Sequence, residues 1–149
     1  MDYHKDFEEL CSLLSAKHVD FLIVGGYAVA FHGAPRFTGD LDILVRPSPE
    51  HVDRVLDALR DFGFPGGEVT SDDLLQGRQI LQLGQVPVQV HIMTGISGVT
   101  WETAWNSKSE GTYGRASVFF IGREILVRNK RAAGRMKDLA DIEALGADD

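Results

Sequence analysis

The sequence is short of cysteine, of proline and of long apolar runs, and each shortage excludes a class of protein. Its single cysteine, Cys11, cannot form an internal disulfide and falls among apolar residues at helical spacing, which indicates a core position. Five prolines and 44% hydrophobic residues do not fit a collagen-like or disordered chain. The longest apolar stretch, 21–31, contains two glycines and falls well short of the ~20 residues that a membrane-spanning helix needs. We therefore expect a globular protein without a membrane span, and the lack of a basic and then apolar N-terminal segment predicts a cytoplasmic location.

Basic residues are also in the minority. Lys and Arg number 15 against 22 Asp and Glu, which gives a net charge of −7. Because binding along duplex DNA needs clustered Lys and Arg to neutralise phosphates, the sequence predicts no binding to duplex DNA. The stretch 123–137 runs against this trend, with six basic residues and one acidic residue. A small basic patch on an acidic protein favours a compact anion, such as a triphosphate, over a long polyanion.

The spacing of apolar residues predicts helices and strands within a single domain that covers residues 1–149. No internal repeat or linker interrupts the chain, whose length is that of one ordinary domain. Gly84 and Gln85 are predicted to form the turn of a hairpin. The predicted helices are 3–17, 27–32, 48–63, a segment that Thr100 caps, 125–131 and 136–145, and the predicted strands are 19–24, 41–45, 78–83, 86–92 and 116–121. Together they predict a mixed α/β domain with helices on a central sheet.

Two motifs lie close together near the N-terminal third of the chain. Gly25 and Gly26 end a predicted strand and precede a predicted helix, and such a turn lets the backbone approach a phosphate without obstruction by Cβ atoms. Asp40 and Asp42 are two residues apart on the next strand, so their side chains project from one face with Cα atoms roughly 6.6 Å apart. A carboxylate pair of this kind suits Mg²⁺, which completes its shell with waters and substrate phosphates. Either motif alone is common in turns and on solvated surfaces, but the combination is far more restrictive.

With these residues the chain resembles the polymerase-β-type nucleotidyltransferase superfamily. It is particularly similar to small bacterial nucleotidyltransferase-like proteins related to the abortive-infection and antitoxin groups. The resembling segments are VGGYAVAFHG (24–33), RFTGDLD (36–42) and NKRAAGRMKDLAD (129–141). The resemblance implies an α+β fold with a central mixed sheet flanked by helices, an NTP bound with Mg²⁺ or Mn²⁺ across the diglycine and the aspartates, and transfer of a nucleoside monophosphate with release of pyrophosphate.

One position departs from the family pattern. The resemblance implies a third carboxylate on a neighbouring strand, and the matching position in this chain is His91. Three interpretations stay open. In the first, transfer activity is lost or much reduced. In the second, His91 acts as a metal ligand or as a general base. In the third, the strand register is shifted so that Gln89 or Val90 occupies the position. Imidazole is a poor ligand for Mg²⁺ but suits Mn²⁺, Zn²⁺ or Ni²⁺.

Further residues are candidates for contacts with the nucleotide. Arg36 precedes the aspartates by four residues and can pair with a phosphate or with an aspartate, whereas Thr38 can contact the nucleotide or only hold the loop. Lys130 is the preferred basic residue for a phosphate contact, because the helix that carries it is expected to face the site. We interpret the remaining candidates as structural. His32 is a cation at a helix C-terminus or a loop anchor, Trp101 and Trp105 belong to the core or to an interface, and Asp138 and Asp141 form surface ion pairs on a helix.

The leading hypothesis is therefore a nucleotidyltransferase-like protein that binds NTP and Mg²⁺ and modifies a hydroxyl on a small molecule, a tRNA end or a protein. Little chain remains for an acceptor-binding domain, so a homodimer interface or a partner protein would supply acceptor recognition. The alternative is a nucleotide-binding or partner-binding module of the toxin–antitoxin type that keeps the fold without turnover. A purely structural domain is the third possibility.

Overall fold

A run of four apolar residues, Phe21–Val24, forms the central strand β1, and all four side chains are buried. Burial on both faces requires cover on both sides of the sheet, which is why this strand has no alternation of apolar and polar residues. Strand β2 (Leu41–Val45) is similar, with only Asp42 partly exposed. The computed structural model describes residues 5–34, 38–63, 70–77, 80–85 and 88–146.

Within the described residues, six strands form one mixed sheet in the order β3-β4-β2-β1-β6-β5. The remaining strands are β3 (Leu81–Gln85), β4 (Val88–Met93), β5 (Ser109–Tyr113) and β6 (Ala116–Phe120). Strand β1 pairs antiparallel with β2 and parallel with β6, whereas β2 and β4 are parallel. The described helices are α1 (Lys5–Ala16), α2 (Gly25–Phe31), α3 (Pro49–Phe62), α4 (Ser71–Leu75), α5 (Trp101–Asn106), α6 (Arg123–Ala133) and α7 (Met136–Ala144). The predicted sheet flanked by helices is thus confirmed.

Local capping chemistry places several helix ends where the sequence predicts them. The Ser48 hydroxyl accepts a hydrogen bond from the His51 backbone N–H at 3.2 Å, with Pro49 in the first turn of α3. Helix α3 ends at Gly63 in the left-handed conformation. Thr100 caps α5 in the same way as Ser48 caps α3. None of the described helices has the length and apolar character needed to span a bilayer.

The hairpin at the edge of the sheet differs from its prediction. Strand β3 continues through Gly84 and Gln85, which pair with Gln89 and Val88, so these two residues are strand and not turn. The connecting residues 86–87 lie outside the described residues, as does the predicted strand start at 78–79. Glycine is tolerated here because β3 is an edge strand, and a glycine alone therefore does not locate the turn.

Two short elements were not predicted, and one strand begins later than expected. Strand β5 has the polar sequence SEGTY at the other edge of the sheet, and α4 has only five residues, so neither carries a long apolar pattern. Strand β1 begins at Phe21 and not at residue 19, because the Val19 N–H bonds to Leu14 O and so completes the end of α1.

The core confirms the structural interpretation of Cys11, which is fully buried. Burial raises the pKa of its thiol to about 12, and the charge of Glu8 adds to the effect. Trp101 is buried, and Trp105 packs beside it with ring centroids 5.2 Å apart. His32 anchors the end of α2, since its Nε2 donates to the Ile121 carbonyl at 2.6 Å.

Candidate active site

The turn between β1 and α2 depends on glycine at position 25. Gly25 has φ +67°, a backbone conformation that residues with a side chain rarely adopt. Helix α2 begins at this residue, two residues earlier than predicted. A Cβ atom added at Gly25 would collide with Oδ2 of Asp42 and lie 2.9 Å from its Cγ. Because Val24 and Asp42 are paired across β1 and β2, the diglycine turn rests directly on the second aspartate.

The aspartate pair lies at the beginning of β2. Asp42 is in the strand and Asp40 immediately precedes it, and both are partly buried. The Gln89 backbone N–H donates to Oδ1 of Asp40 at 3.3 Å. Thr38 donates its hydroxyl hydrogen to the Asp40 carbonyl oxygen at 3.1 Å, which helps to hold the segment that leads into β2.

The position expected to carry a third carboxylate is occupied by His91. The parallel register of β2 and β4 pairs Asp42 with His91, and not with Gln89 or Val90. The ring is held at both ends: Nδ1 lies 3.0 Å from Oδ1 of Asp42, and Nε2 lies 3.2 Å from Oε1 of Gln89. The imidazole therefore orients the carboxylate beside it.

The charge of Asp42 is poorly compensated. Burial raises the pKa of its carboxyl above the ordinary value, and the charge of Asp40 acts in the same direction. Interaction with His91 and the more distant charge of Lys130 lower it, but burial outweighs them. A desolvated carboxylate with a second one nearby favours an additional cation at this point of the molecule.

Lys130 lies in a buried ion cluster and not on a solvated surface. Its side chain is 6% exposed, and its ammonium lies 2.9 Å from Oδ2 of Asp141 and 3.3 Å from Oδ1 of Asp138. The prediction that these two aspartates form ion pairs on the surface is therefore wrong, since both side chains are buried. Three-residue spacing on α7 points both carboxylates to one face of the helix, and that face packs on α6.

Arg135 completes this cluster from its edge and was not among the site residues predicted from the sequence. Its Nε and Nη2 donate to the two oxygens of Asp138 at 2.7 and 3.2 Å, while its side chain stays 62% exposed. Burial alone would raise the pKa of Asp138, but the hydrogen bonds from Arg135 and Lys130 outweigh it and lower the pKa below the ordinary value. The Arg-x-x-Asp spacing at a helix start is the signal that could have found this pair.

A cleft of ≈ 820 Å³ brings most of the candidate residues together. Its lining combines the carboxyl end of β1, the start of β2, strand β4, and the junction of α6 and α7. Of the predicted site residues, six line it: Gly25, Gly26, Asp40, Asp42, His91 and Lys130. Thr38 stands behind Asp40, and Arg36 lies outside the described residues. Arg135 and Lys137 also line the cleft, so its carboxylates face several cations.

The donor set of the cleft fits a hard divalent cation. Asp40 and Asp42 offer carboxylate oxygens, which Mg²⁺ and Mn²⁺ prefer, and among the described residues the hydrogen bonds of each carboxylate go to its Oδ1. Over the described ranges, no group of three or more His, Cys, Asp and Glu side chains is arranged to hold a metal ion. A metal at this point would thus rest on the two aspartates.

Comparisons of sequence give no relative: no family model matches the chain, and a search among curated proteins finds no match. Comparison of the fold with solved structures does give matches. A crystal structure of the lincosamide antibiotic adenylyltransferase LnuA, with lincomycin bound, matches with a TM-score of 0.64 and 17% identity over 99% of each chain. The chain therefore shares the fold of this adenylyltransferase. The crystal structure of an antigenic nucleotidyltransferase-like protein from Paracoccidioides brasiliensis shares this fold, with a TM-score of 0.55 and 15% identity over 97% of this chain and 76% of that one.

The nucleotidyltransferase fold confirms the fold class predicted from the sequence. In the sheet of this chain, the diglycine turn follows β1 and the aspartate pair lies at the start of the adjacent strand β2.

Proposed function

We propose that this protein binds a nucleoside triphosphate with Mg²⁺ in the cleft and transfers the nucleoside monophosphate to a hydroxyl group. The observation that carries this proposal is the packing of Gly25 on Asp42, because it brings a turn without side chains and a carboxylate pair to one point. One of the two matching structures is an adenylyltransferase and the other a nucleotidyltransferase-like protein, which supports transfer of a nucleotidyl group as the class of reaction.

The triphosphate would lie between the diglycine turn and the cations of α6 and α7. An ammonium carries three N–H groups, and the contacts of Lys130 with two aspartates leave one for a phosphate oxygen. The guanidinium of Arg135 uses two of its five N–H groups on Asp138, which leaves three for phosphate. We retain Arg36 as a further phosphate contact, and Thr38 as a residue of the nucleotide site that acts through the Asp40 segment.

Asp40 and Asp42 would hold the Mg²⁺ ion, for which Mn²⁺ can substitute. When bound, the ion polarises the phosphoryl oxygens and offsets their negative charge. The chain supplies the orientation: Gln89 holds Asp40 through its backbone N–H, and His91 holds Asp42 through Nδ1. Each carboxylate thereby keeps Oδ2 for the cation.

In the proposed reaction the acceptor hydroxyl oxygen forms a bond to the α-phosphorus. The bond between the α-phosphorus and the bridging oxygen of the β-phosphate breaks, and pyrophosphate leaves, while the hydroxyl proton passes to solvent. The fixed strand register of Asp42 and His91 holds the reacting groups in one geometry, which is the main contribution that a protein makes to phosphoryl-type transfer.

A second candidate function is a nucleotide-binding module without turnover, which would act on a partner protein, for example of the toxin–antitoxin type. The specific observation in its favour is His91, because its ring replaces an oxygen ligand and both of its nitrogens face Asp42 and Gln89. The two candidates differ in turnover and agree on nucleotide binding.

Calorimetric titration with a non-hydrolysable ATP analogue, with and without Mg²⁺ or Mn²⁺, tests the shared part. We expect metal-dependent binding that Asp42→Asn weakens at least tenfold, whereas Asp53→Asn, on the exposed face of α3, leaves it unchanged. The matched control removes the same charge far from the cleft.

Release of pyrophosphate from each NTP in the presence of hydroxyl compounds separates the two candidates. Release that depends on Asp42 supports the transferase, and binding without release supports the module. Absence of metal-dependent nucleotide binding would refute both.

A further inference from the structure

The floor of the cleft continues past His91 towards the edge of the sheet. Side chains of paired residues project from the same face, and residues two apart on a strand do so as well. Asp42, His91 and Met93 therefore share a face of the sheet. Leu81 pairs with Ile92, so that Ile80 comes next to Met93 in register, and both line the cleft.

This outer part of the floor is apolar and open to solvent. Ile80 is 54% exposed, which is unusual for a large apolar side chain in the described part of this molecule. Met93 and Ile96 beside it are partly buried, and both line the same cleft. Apolar side chains that stay partly accessible in a cleft with convergent polar groups are typical of a ligand site.

Over their described residues, the outer strands β3 and β4 have the sequences LQLGQ and VQVHIM, without a Lys or an Arg. Among the residues that the structure describes, the cations that line the cleft are Lys130 from α6, and Arg135 and Lys137 from the α6–α7 junction. A polynucleotide would need cations along its path, because its affinity depends on neutralising phosphates. A neutral small molecule needs none.

We propose that Ile80 and Met93 form the acceptor subsite, and that the acceptor is a small, uncharged hydroxyl compound with an apolar body. The proposal rests on the proposed nucleotidyl transfer and adds its substrate class. Subsites then follow the order of the strands: phosphates at the turn after β1, the cation at β2, and the acceptor on β4 and the β3 edge. The acceptor hydroxyl lies at the inner end, beside His91, and the apolar body extends over Met93 to Ile80.

Titration with alkyl glucosides of increasing chain length (methyl, butyl, hexyl) tests the apolar subsite. They are added to the protein saturated with a non-hydrolysable ATP analogue and Mg²⁺, and also to the protein alone. We expect affinity to rise by about fourfold for each methylene group that becomes fully buried, as burial of apolar surface predicts. Ile80→Ser should flatten this dependence, since it removes apolar surface from an exposed position and leaves the core intact.

Leu139→Ser is the matched control, because Leu139 is 53% exposed on α7 and does not line the cleft. It should keep the full chain-length dependence. Affinity that is independent of chain length, or equally dependent in both variants, would overturn the acceptor subsite while metal-dependent nucleotide binding still supports the proposed function. Competition by a single-stranded RNA end that is stronger than that of hexyl glucoside would also overturn it. If the analogue does not bind, the proposed function fails, and the glucoside series on the protein alone still decides whether an apolar subsite exists.

Discussion

Replacement of Gly25 by alanine tests the packing of the diglycine turn on the aspartate pair. Alanine at φ +67° costs about 1–2 kcal/mol, the ordinary penalty of a left-handed backbone for a residue with a Cβ atom. The new methyl group would also collide with the Asp42 carboxylate, and overpacking of this kind costs about 1–3 kcal/mol. We therefore expect Gly25→Ala to lower the free energy of unfolding by about 2–5 kcal/mol.

The two contributions can be separated with a matched glycine. Gly134 has the same φ of +67°, but a Cβ added there would meet only the Arg131 carbonyl oxygen at an ordinary 3.6 Å. Gly134→Ala should therefore cost only the backbone part, about 1–2 kcal/mol. In a double-mutant cycle, Asp42→Gly removes the colliding carboxylate, and the coupling energy with Gly25→Ala should be about 1–3 kcal/mol.

Urea denaturation followed by tryptophan fluorescence measures all four variants. Equal losses in Gly25→Ala and Gly134→Ala, or a coupling energy near zero, would show that the turn does not rest on Asp42. The proposed site would then lose the observation on which it depends.

Three further predictions concern the buried charges. Lys130→Met leaves Asp138 and Asp141 without the ammonium and should lower the free energy of unfolding, measured by urea denaturation, by about 3–5 kcal/mol. A loss below about 1 kcal/mol would mean that the ammonium does not stabilise the fold. Because the pKa of Asp138 is lowered from 3.8, its ionised form stabilises the fold above that pH, and this stability is lost as the pH falls through the folded-state value. Denaturation at a series of acid pH values should therefore show a steeper loss below 3.8 in the wild type than in Asp138→Asn, and parallel curves would contradict the assignment. The effect of pH on stability is opposite for Asp42, because its pKa is raised from 3.8 and its contribution to stability falls as the pH rises above that value. At pH 7, Asp42→Asn should therefore have a higher free energy of unfolding than the wild type, although we expect it to lose metal-dependent binding.

The parts of the site that could be predicted from the sequence are those set by local chemistry. The apolar run of β1 ends at the diglycine because only glycine tolerates the backbone of residue 25 beside Asp42. The two-residue spacing of Asp40 and Asp42 predicts that they lie close together at the start of β2, and both line the cleft. The resemblance indicated His91 for the third position but left the strand register open, and the parallel pairing of β2 and β4 aligns His91 with Asp42.

The parts that could not be predicted depend on contacts between distant elements. Asp138 and Asp141 have a spacing typical of a solvated helix face, and only the packing of α7 on α6 buries them against Lys130. Strand β5 is polar because it lies at the edge of the sheet, so its pattern resembles that of a loop. The turn of the β3–β4 hairpin was misplaced because glycine at an edge strand has no unique meaning.

The buried ion cluster also bears on how the protein is made. A nascent chain leaves the ribosome from its N-terminus, so the diglycine turn and the aspartate pair emerge well before the segment that carries Asp138 and Asp141. Until α7 docks, Lys130 has neither of its counter-ions and would not remain buried. The part of the cleft that α6 and α7 line is therefore assembled late in synthesis.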